Sequence, residues 1–268
     1  MHRRFYLRRA LAIVMTLILS VGIVFVGAQE NAYAASKKKL VSKVLCYSKG
    51  DNGWEETGVM EFTYNKQKDP VKMYRNINGQ EKTDTYSYSY KNGKKAKAKH
   101  YIIDEDEGKH LESTYTYDKY GRRKSYLDME ELMGSDYTYG KNGYLSKIKG
   151  EDYEDTLFHY RWNGKIPQIL KTSCFGYKGI YTQSTFNKKG LIEKTSSKYQ
   201  PGGDRTIKYS FVNGHVKTII ITVTENNKTE QYKYVLKYTN QKIDRSRYFA
   251  MINYIIDTSP ARSGTIWF

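Results

Sequence analysis

The sequence is poor in cysteine and proline, with two and four respectively in 268 residues. Two thiols cannot build the multi-bridge framework on which small secreted scaffolds depend. Glycine shows no three-residue period, which excludes a collagen-like chain. Only one long apolar run is present, Ala10–Ala28, so a polytopic helical membrane protein is excluded too. Acid is scarce relative to base: 28 Asp and Glu face 45 Lys and Arg, a formal charge of +17. What the chain has in excess is tyrosine. There are 27, which lifts the aromatic share to 15%, too high for a disordered tail.

The apolar run follows Arg3, Arg4, Arg8 and Arg9 and precedes Ala32-Tyr33-Ala34, whose small residues suit a signal peptidase. This predicts a secretory leader over residues 1–34, cleaved after Ala34, and a remaining chain of net charge +14. The alternative is an uncleaved anchor, since the run is long enough to span a bilayer. Either reading puts the rest of the chain in an extracytoplasmic, oxidising compartment.

Beyond the leader one unit recurs about every 25 residues. It reads aromatic, any, aromatic, a short polar turn usually ending in Gly, one residue, an apolar, two residues, often another apolar. Clear copies are Tyr88-Ser-Tyr90, Tyr115-Thr-Tyr117, Tyr137-Thr-Tyr139, Phe158-His-Tyr160 and Tyr209-Ser-Phe211. Weaker ones centre on Tyr64, Phe186 and Tyr238. Alternation places both aromatics of a copy on one strand face and the intervening Ser, Thr or His on the other. Asn92-Gly93, Asn142-Gly143, Asn163-Gly164 and Asn213-Gly214 are hairpin turns, because Asn and Gly tolerate positive φ. After the turn, Leu145/Ile148, Ile166/Ile169 and Val216/Ile219 are three apart, which strict alternation forbids. A β-bulge between them returns both side chains to one face.

The pattern predicts an all-β fold: an antiparallel meander of about eight hairpin repeats over residues 35–244, forming a long twisted or coiled sheet. Residues 245–268 break the pattern. A short helix over Arg245–Ile256 is expected there, as a cap over the last unpaired edge. Cys46 and Cys174 lie about five repeats apart, beyond disulfide reach in an extended sheet, and are expected as free thiols.

Tyr115-Thr-Tyr117-Asp118-Lys-Tyr-Gly121-Arg122-Arg123 resembles the YD repeat of RHS-type and wall-associated bacterial surface proteins, roughly Tyr-x-Tyr-Asp-x-x-Gly-Arg-Leu-x-x-Ile. Other copies keep Tyr and Gly but carry Gly140, Arg161, Asn187 or Val212 at the Asp position. The resemblance implies β-sheet shells or coils associated with surface binding or the housing of toxin domains. No toxin-sized domain is expected after the last repeat.

Charge is sorted between the turns. Those within units, such as Lys91–Lys95, Asp118–Arg123 and Arg161–Lys165, total +12, while those between units, such as Asp51–Glu56 and Glu151–Asp155, total −14. A meander puts the two sets on opposite margins. One margin is therefore basic and suited to a polyanion, the other acidic. Candidate ligand-binding residues are the turn aromatics Trp162, Tyr120 and Trp54, with Lys94, Lys95, Arg122, Arg123, Arg161 and Lys165.

Chemistry is otherwise sparse. The acidic run Asp104–Glu107 fails the EF-hand pattern, since Lys109 stands where the loop requires Gly. His100, His110, His159 and His215 have no metal-ligand spacing, and no nucleophile elbow or phosphate loop is visible. No cofactor, metal or catalytic residue is expected. The sequence reads as a secreted, non-enzymatic binding or scaffold module at the bacterial envelope, with an anionic wall polymer or glycan as partner. Nucleic acid does not fit the secretory address. The enzymatic alternative is a secreted hydrolase acting on envelope or extracellular glycans; an interaction protein whose margins stack head to tail is another. A membrane barrel is disfavoured because the face opposite the tyrosines carries Ser, Thr, Lys and His.

Overall fold

A computed structural model describes residues 37–104, 108–140, 145–150, 155–163, 166–174, 182–197, 204–225 and 227–257. The leader and residue 165 lie outside this set. The strands are β1 (Lys38–Gly50), β2 (Gly53–Tyr64), β3 (Pro70–Ile77), β4 (Gln80–Lys91), β5 (Lys94–Asp104), β6 (Gly108–Tyr117), β7 (Arg123–Asp128) and β8 (Gly134–Tyr139). They continue as β9 (Leu145–Gly150), β10 (Thr156–Asn163), β11 (Ile166–Cys174), β12 (Thr182–Phe186), β13 (Ile192–Ser197), β14 (Asp204–Val212), β15 (His215–Glu225) and β16 (Lys228–Ile243). Helix α1 (Arg245–Asp257) follows.

Every strand pairs antiparallel with its chain neighbours, and β16 pairs with β1, so the sixteen strands close into a barrel. This corrects the expectation of a long twisted or coiled sheet with free edges. The physical reason lies in the eighth unit. Among the described residues its aromatic strand, β16, is followed by no further strand, and β1 takes that place. Seven hairpins are therefore continuous, from β2–β3 to β14–β15, and the eighth is assembled from the two ends.

The bulge expected from the apolar spacing is present. Tyr64 pairs with Pro70, Tyr90 with Lys95, Tyr117 with Arg123, Tyr139 with Leu145, Phe186 with Ile192 and Phe211 with Val216. In each hairpin the ladder slips by a residue immediately beyond that pair. In β10–β11 the slip falls at Trp162 and Pro167, so Trp162, not Tyr160, is the second aromatic of its unit. Tyr238 pairs with Val41 across the seam with the same slip, and Val41/Val44 supply another apolar pair three apart. Pro70 and Pro167 are tolerated because a bulge interrupts the ladder that an N–H would otherwise serve.

The turns follow two designs. Asn92-Gly93 and Asn213-Gly214 have positive φ at both residues, as tight hairpins require. In the β2–β3, β6–β7 and β12–β13 turns an Asx side chain folds over the loop: Asp118 Oδ1 accepts from the Tyr120 and Arg122 amides, and Asn187 Oδ1 from those of Lys189 and Leu191. Asn65 Oδ1 likewise accepts from the Asp69 amide. The Asp of the YD-like unit thus closes a turn here, and Asn does the same in two copies.

Alternation sorts the walls. In β14, Arg205 and Ile207 are buried inside while Thr206, Lys208 and Ser210 face solvent. That is the reverse of a lipid-facing barrel. A sixteen-stranded cylinder is wide enough for a channel, but part of this lumen is occupied. Tyrosines line it, and α1 enters it with Tyr248, Ile252, Asn253 and Ile255 wholly buried. Burial around most of a helix's circumference needs walls on more than one side. The helix forms where expected but has no edge to cover; it packs the interior. Asp244 caps it by accepting from the Arg247 amide at 2.8 Å.

Tyrosine hydroxyls tie neighbouring hairpins together. Tyr64 donates to the Val41 carbonyl, Tyr88 to Pro70, Tyr139 to Arg123 and Tyr209 to Ile192, and Tyr238 to Val216. Each acceptor is the residue paired with the second aromatic of the preceding unit. A bulge takes this carbonyl out of regular pairing, and the next tyrosine satisfies it. This explains why the aromatic at these positions is Tyr rather than Phe.

Candidate functional site

Closure places the turns within units at one end of the barrel and those between units at the other. Among the described residues, the first end carries Lys66, Lys68, Lys91, Lys94, Lys119, Arg122, Lys188 and Lys189. The chain also enters here. Lys38 donates to the Gly214 carbonyl at 2.9 Å, so Lys37, Lys38 and Lys39 join the same rim. Burial lowers the Lys38 pKa, and the nearby charges of Arg245 and Lys189 lower it further, a sign of crowded cations. The opposite rim carries Asp51, Glu55, Glu56, Glu81, Glu130 and Glu131. The acidic stretches 105–107 and 151–154 lie outside the described residues.

The bulge register adds an outward lysine row below the basic rim. Two residues beyond the bulge partner stand Lys43, Lys72, Lys97, Lys147 and Lys194, opposite Lys237, Thr63, Ser89, Thr138 and Thr185. Equivalent positions recur every second strand, about 10 Å apart at ordinary strand spacing. Lys43 is paired with Glu61 at 2.7 Å and Lys147 with Asp155 at 2.5 Å.

The residues singled out from sequence fall into three groups. Tyr120 is 55% exposed at the tip of the β6–β7 turn. Arg122, Lys119 and Lys94 gather around its ring at 4.7, 5.1 and 5.9 Å from the centroid. Arg122 is also held by Asp118 at 2.6 Å and lies over Tyr139 at 4.3 Å. This cluster, with exposed Arg161 on the outer wall, belongs to the basic half of the surface.

Trp54 sits at the far rim, with Lys233 and Lys49 at 4.7 and 5.7 Å from its ring. Trp162 lies within β10, half-buried against the core and 5.3 Å from Tyr160. Lys95 and Arg123 point inward, because each occupies the bulge-partner position. Lys165 lies outside the described residues.

The lumen holds a polar series that linear reading did not reveal. Arg75 donates to Asp84 at 2.7 Å, and Asp84 meets His100 Nε2 at 2.8 Å. His100 Nδ1 lies 3.3 Å from Ser113 Oγ, which donates to the Tyr115 hydroxyl at 3.0 Å. Tyr86 stacks on His100 at 4.6 Å. Burial raises the Asp84 pKa, but the His100 hydrogen bond and the Arg75 charge outweigh it, holding the carboxyl below its ordinary value. Further along, Arg123 lies against the rings of Tyr115 and Tyr137. Lys95 is 3.2 Å from Asp69, which Arg247 of α1 also reaches at 3.1 Å. These residues come from several strands, the β2–β3 turn and α1, so no sequence spacing announces them. Cys46 is buried in β1 as a free thiol, its pKa pushed up to about 12 by burial.

No family model matches the sequence, and no curated protein matches it. Among solved structures the chain is similar to a porin-like protein from Bacteroides vulgatus, with TM-score 0.36 and 10% identity over 76% of this chain and 100% of that one. It is also similar to the TcdB2–TccC3 structure, with TM-score 0.31 and 12% identity over 66% of this chain. For the Photorhabdus luminescens Tc holotoxin pore the TM-score is 0.28, with 11% identity over 69% of this chain. This chain spans only 10% and 13% of those two toxin chains. Likenesses this slight carry no functional argument.

Proposed function

We propose that the protein is a non-catalytic binding module of the bacterial envelope that engages an anionic polymer through its basic rim. The observation that supports this reading is the separation of charge by barrel end. The rim gathers the turn lysines, the entering Lys37–Lys39 and the lysine row beneath them. Lysines repeated along a rigid ring, such as Lys72 and Lys97 on alternate strands about 10 Å apart, suit a polymer with repeated negative charge better than a small ligand. Tyr120, held among three cations, offers a ring face for a sugar unit of such a polymer. The secretory leader expected from the sequence accords with a partner outside the cytoplasm.

The test is retention of the chain from residue 35 on an immobilised wall polymer across a salt series. Binding should fall steeply with ionic strength, and a Lys72→Gln/Lys97→Gln/Lys194→Gln variant should show a shallower dependence. Retention that ignores salt would remove the proposal.

One observation favours a hydrolase as the second reading: Asp84, His100 and Ser113 stand in the order of an acid, a base and a nucleophile. Ser113 is 1% exposed, however, and its hydroxyl is donated to Tyr115. Arg75 already occupies the Asp84 carboxylate. The series fits an internal hydrogen-bond network that joins β3 to β6. Labelling by a fluorophosphonate, lost in Ser113→Ala, would favour the hydrolase instead.

A further inference from the structure

The half of the lumen nearer the basic rim has more cations than carboxylates. Arg123, Lys95 and Arg247 face it, with Asp69 between the last two. Arg123 is 8% exposed, and among the described residues no carboxylate lies within ion-pair distance of it. Its Nη1 reaches the Tyr137 hydroxyl at 3.5 Å, and its guanidinium carbon lies 4.3 Å from the Tyr115 ring centroid. Its Nε is buried with no hydrogen-bond partner. Ring faces offset only part of the cost of burying a guanidinium, whose fork of donors is shaped for a planar or tetrahedral oxyanion. Burial lowers the Lys95 pKa, and the positive charges of Arg247 and Arg123 add to that effect, so the two wall cations feel one another.

A second polar group is stranded on the helix. Asn253 of α1 is fully buried, and neither its Nδ2 nor its Oδ1 has a partner. Met251 faces β1, where its sulfur accepts from the Val41 amide. Tyr254 faces β3, where its hydroxyl meets the Met73 sulfur. At about 100° per residue, Asn253 turns to the wall that follows β4, the wall that carries Lys95 and Arg123.

We infer that α1 and the β5–β8 wall form between them a binding site for a small oxyanion, a phosphate or carboxylate group, with Arg123 as its principal ligand. Lys95 supplies a second positive charge, the Asn253 amide a neutral donor, and Tyr115, Tyr117 and Tyr137 the walls. This site is separate from the outer rim and does not depend on the rim binding a polymer.

The experiment is a titration of the chain from residue 35 with inorganic phosphate, and separately with acetate, at ionic strength held constant with chloride. Two readouts are followed: the Arg123 Nε–H resonance, assigned with Arg123→Lys, and the melting temperature. Saturable movement of that resonance with a rise in melting temperature is expected for the preferred anion, and the two arms decide between phosphate and carboxylate. Arg123→Met should weaken the effect by about tenfold or more, whereas Lys72→Gln/Lys194→Gln should retain it. A resonance that neither anion moves, or equal stabilisation of Arg123→Met, overturns the inference. If Arg123→Met does not fold, the wild-type resonance decides alone.

Discussion

Tyr238 in the last strand stands opposite Val41 in the first, in the register that Tyr139 takes to Leu145 and Phe211 to Val216. The molecule is thus a ring of eight like hairpins whose chain happens to be cut inside one of them. Without β1, the eighth unit has no second strand and two edges open. Deleting residues 35–50 should abolish cooperative thermal unfolding followed by circular dichroism. A synthetic Lys38–Gly50 peptide added in excess should restore it.

Tyr139 donates to the Arg123 carbonyl at 2.6 Å, serving a backbone acceptor that the bulge leaves outside regular pairing. Tyr139→Phe keeps the ring and removes the donor, and should cost about 1 kcal/mol in urea unfolding. Tyr120→Phe, at an exposed turn tip, should stay within about 0.5 kcal/mol of the parent.

Gly58 has φ of +149°, and a Cβ there would lie 1.9 Å from the Asn76 carbonyl oxygen. Backbone cannot yield as a side chain can. Gly58→Ala should destabilise by more than about 2 kcal/mol, since strain and clash act together. Gly53 also has positive φ, at +127°, but nothing stands within 4 Å of its Cβ position. Gly53→Ala should therefore cost less in the same denaturation experiment.

The buried phenols set the alkaline limit. Burial pushes Tyr86 and Tyr88 well above the ordinary tyrosine value, and pushes Tyr90 and Tyr232 up to about 12. A pKa raised in the folded state means that the unfolded chain loses these protons first. Their contribution is complete below about pH 10 and is lost as pH rises through the folded values. Absorbance at 295 nm should show this group ionising together with loss of the far-ultraviolet β signal, not as a separate earlier wave.

Local features were legible because each has a local cause. The tyrosine spacing marked the strands, Asn92-Gly93 and Asn213-Gly214 the turns, and Val216/Ile219 the bulge. The charge of the two turn sets followed from the meander. Closure was not legible, because β1 carries no aromatic pair; its signal was Val41/Val44, spaced like Leu145/Ile148. Phe158-His-Tyr160-Arg-Trp162 offered three alternating rings, and distance to the turn, not ring type, decides that Trp162 ends the unit. Arg122 and Arg123 read as one basic pair, yet adjacent strand residues point to opposite faces, which sends one to the rim and the other inside. The Arg75–Asp84–His100–Ser113 series depends on which strands become neighbours, and linear spacing does not record that.

Because the first strand can be completed only by the last, the fold has no finished fragment. Seven hairpins can zip locally, but the final union brings together segments about 200 positions apart, the kind of contact that makes folding slow. Until then the apolar insides of the walls have no helix to lie against, and both borders can recruit a foreign strand. A newly made copy is therefore a client for holding factors until its tail arrives. Products truncated within β16 should be seen as aggregates rather than smaller barrels.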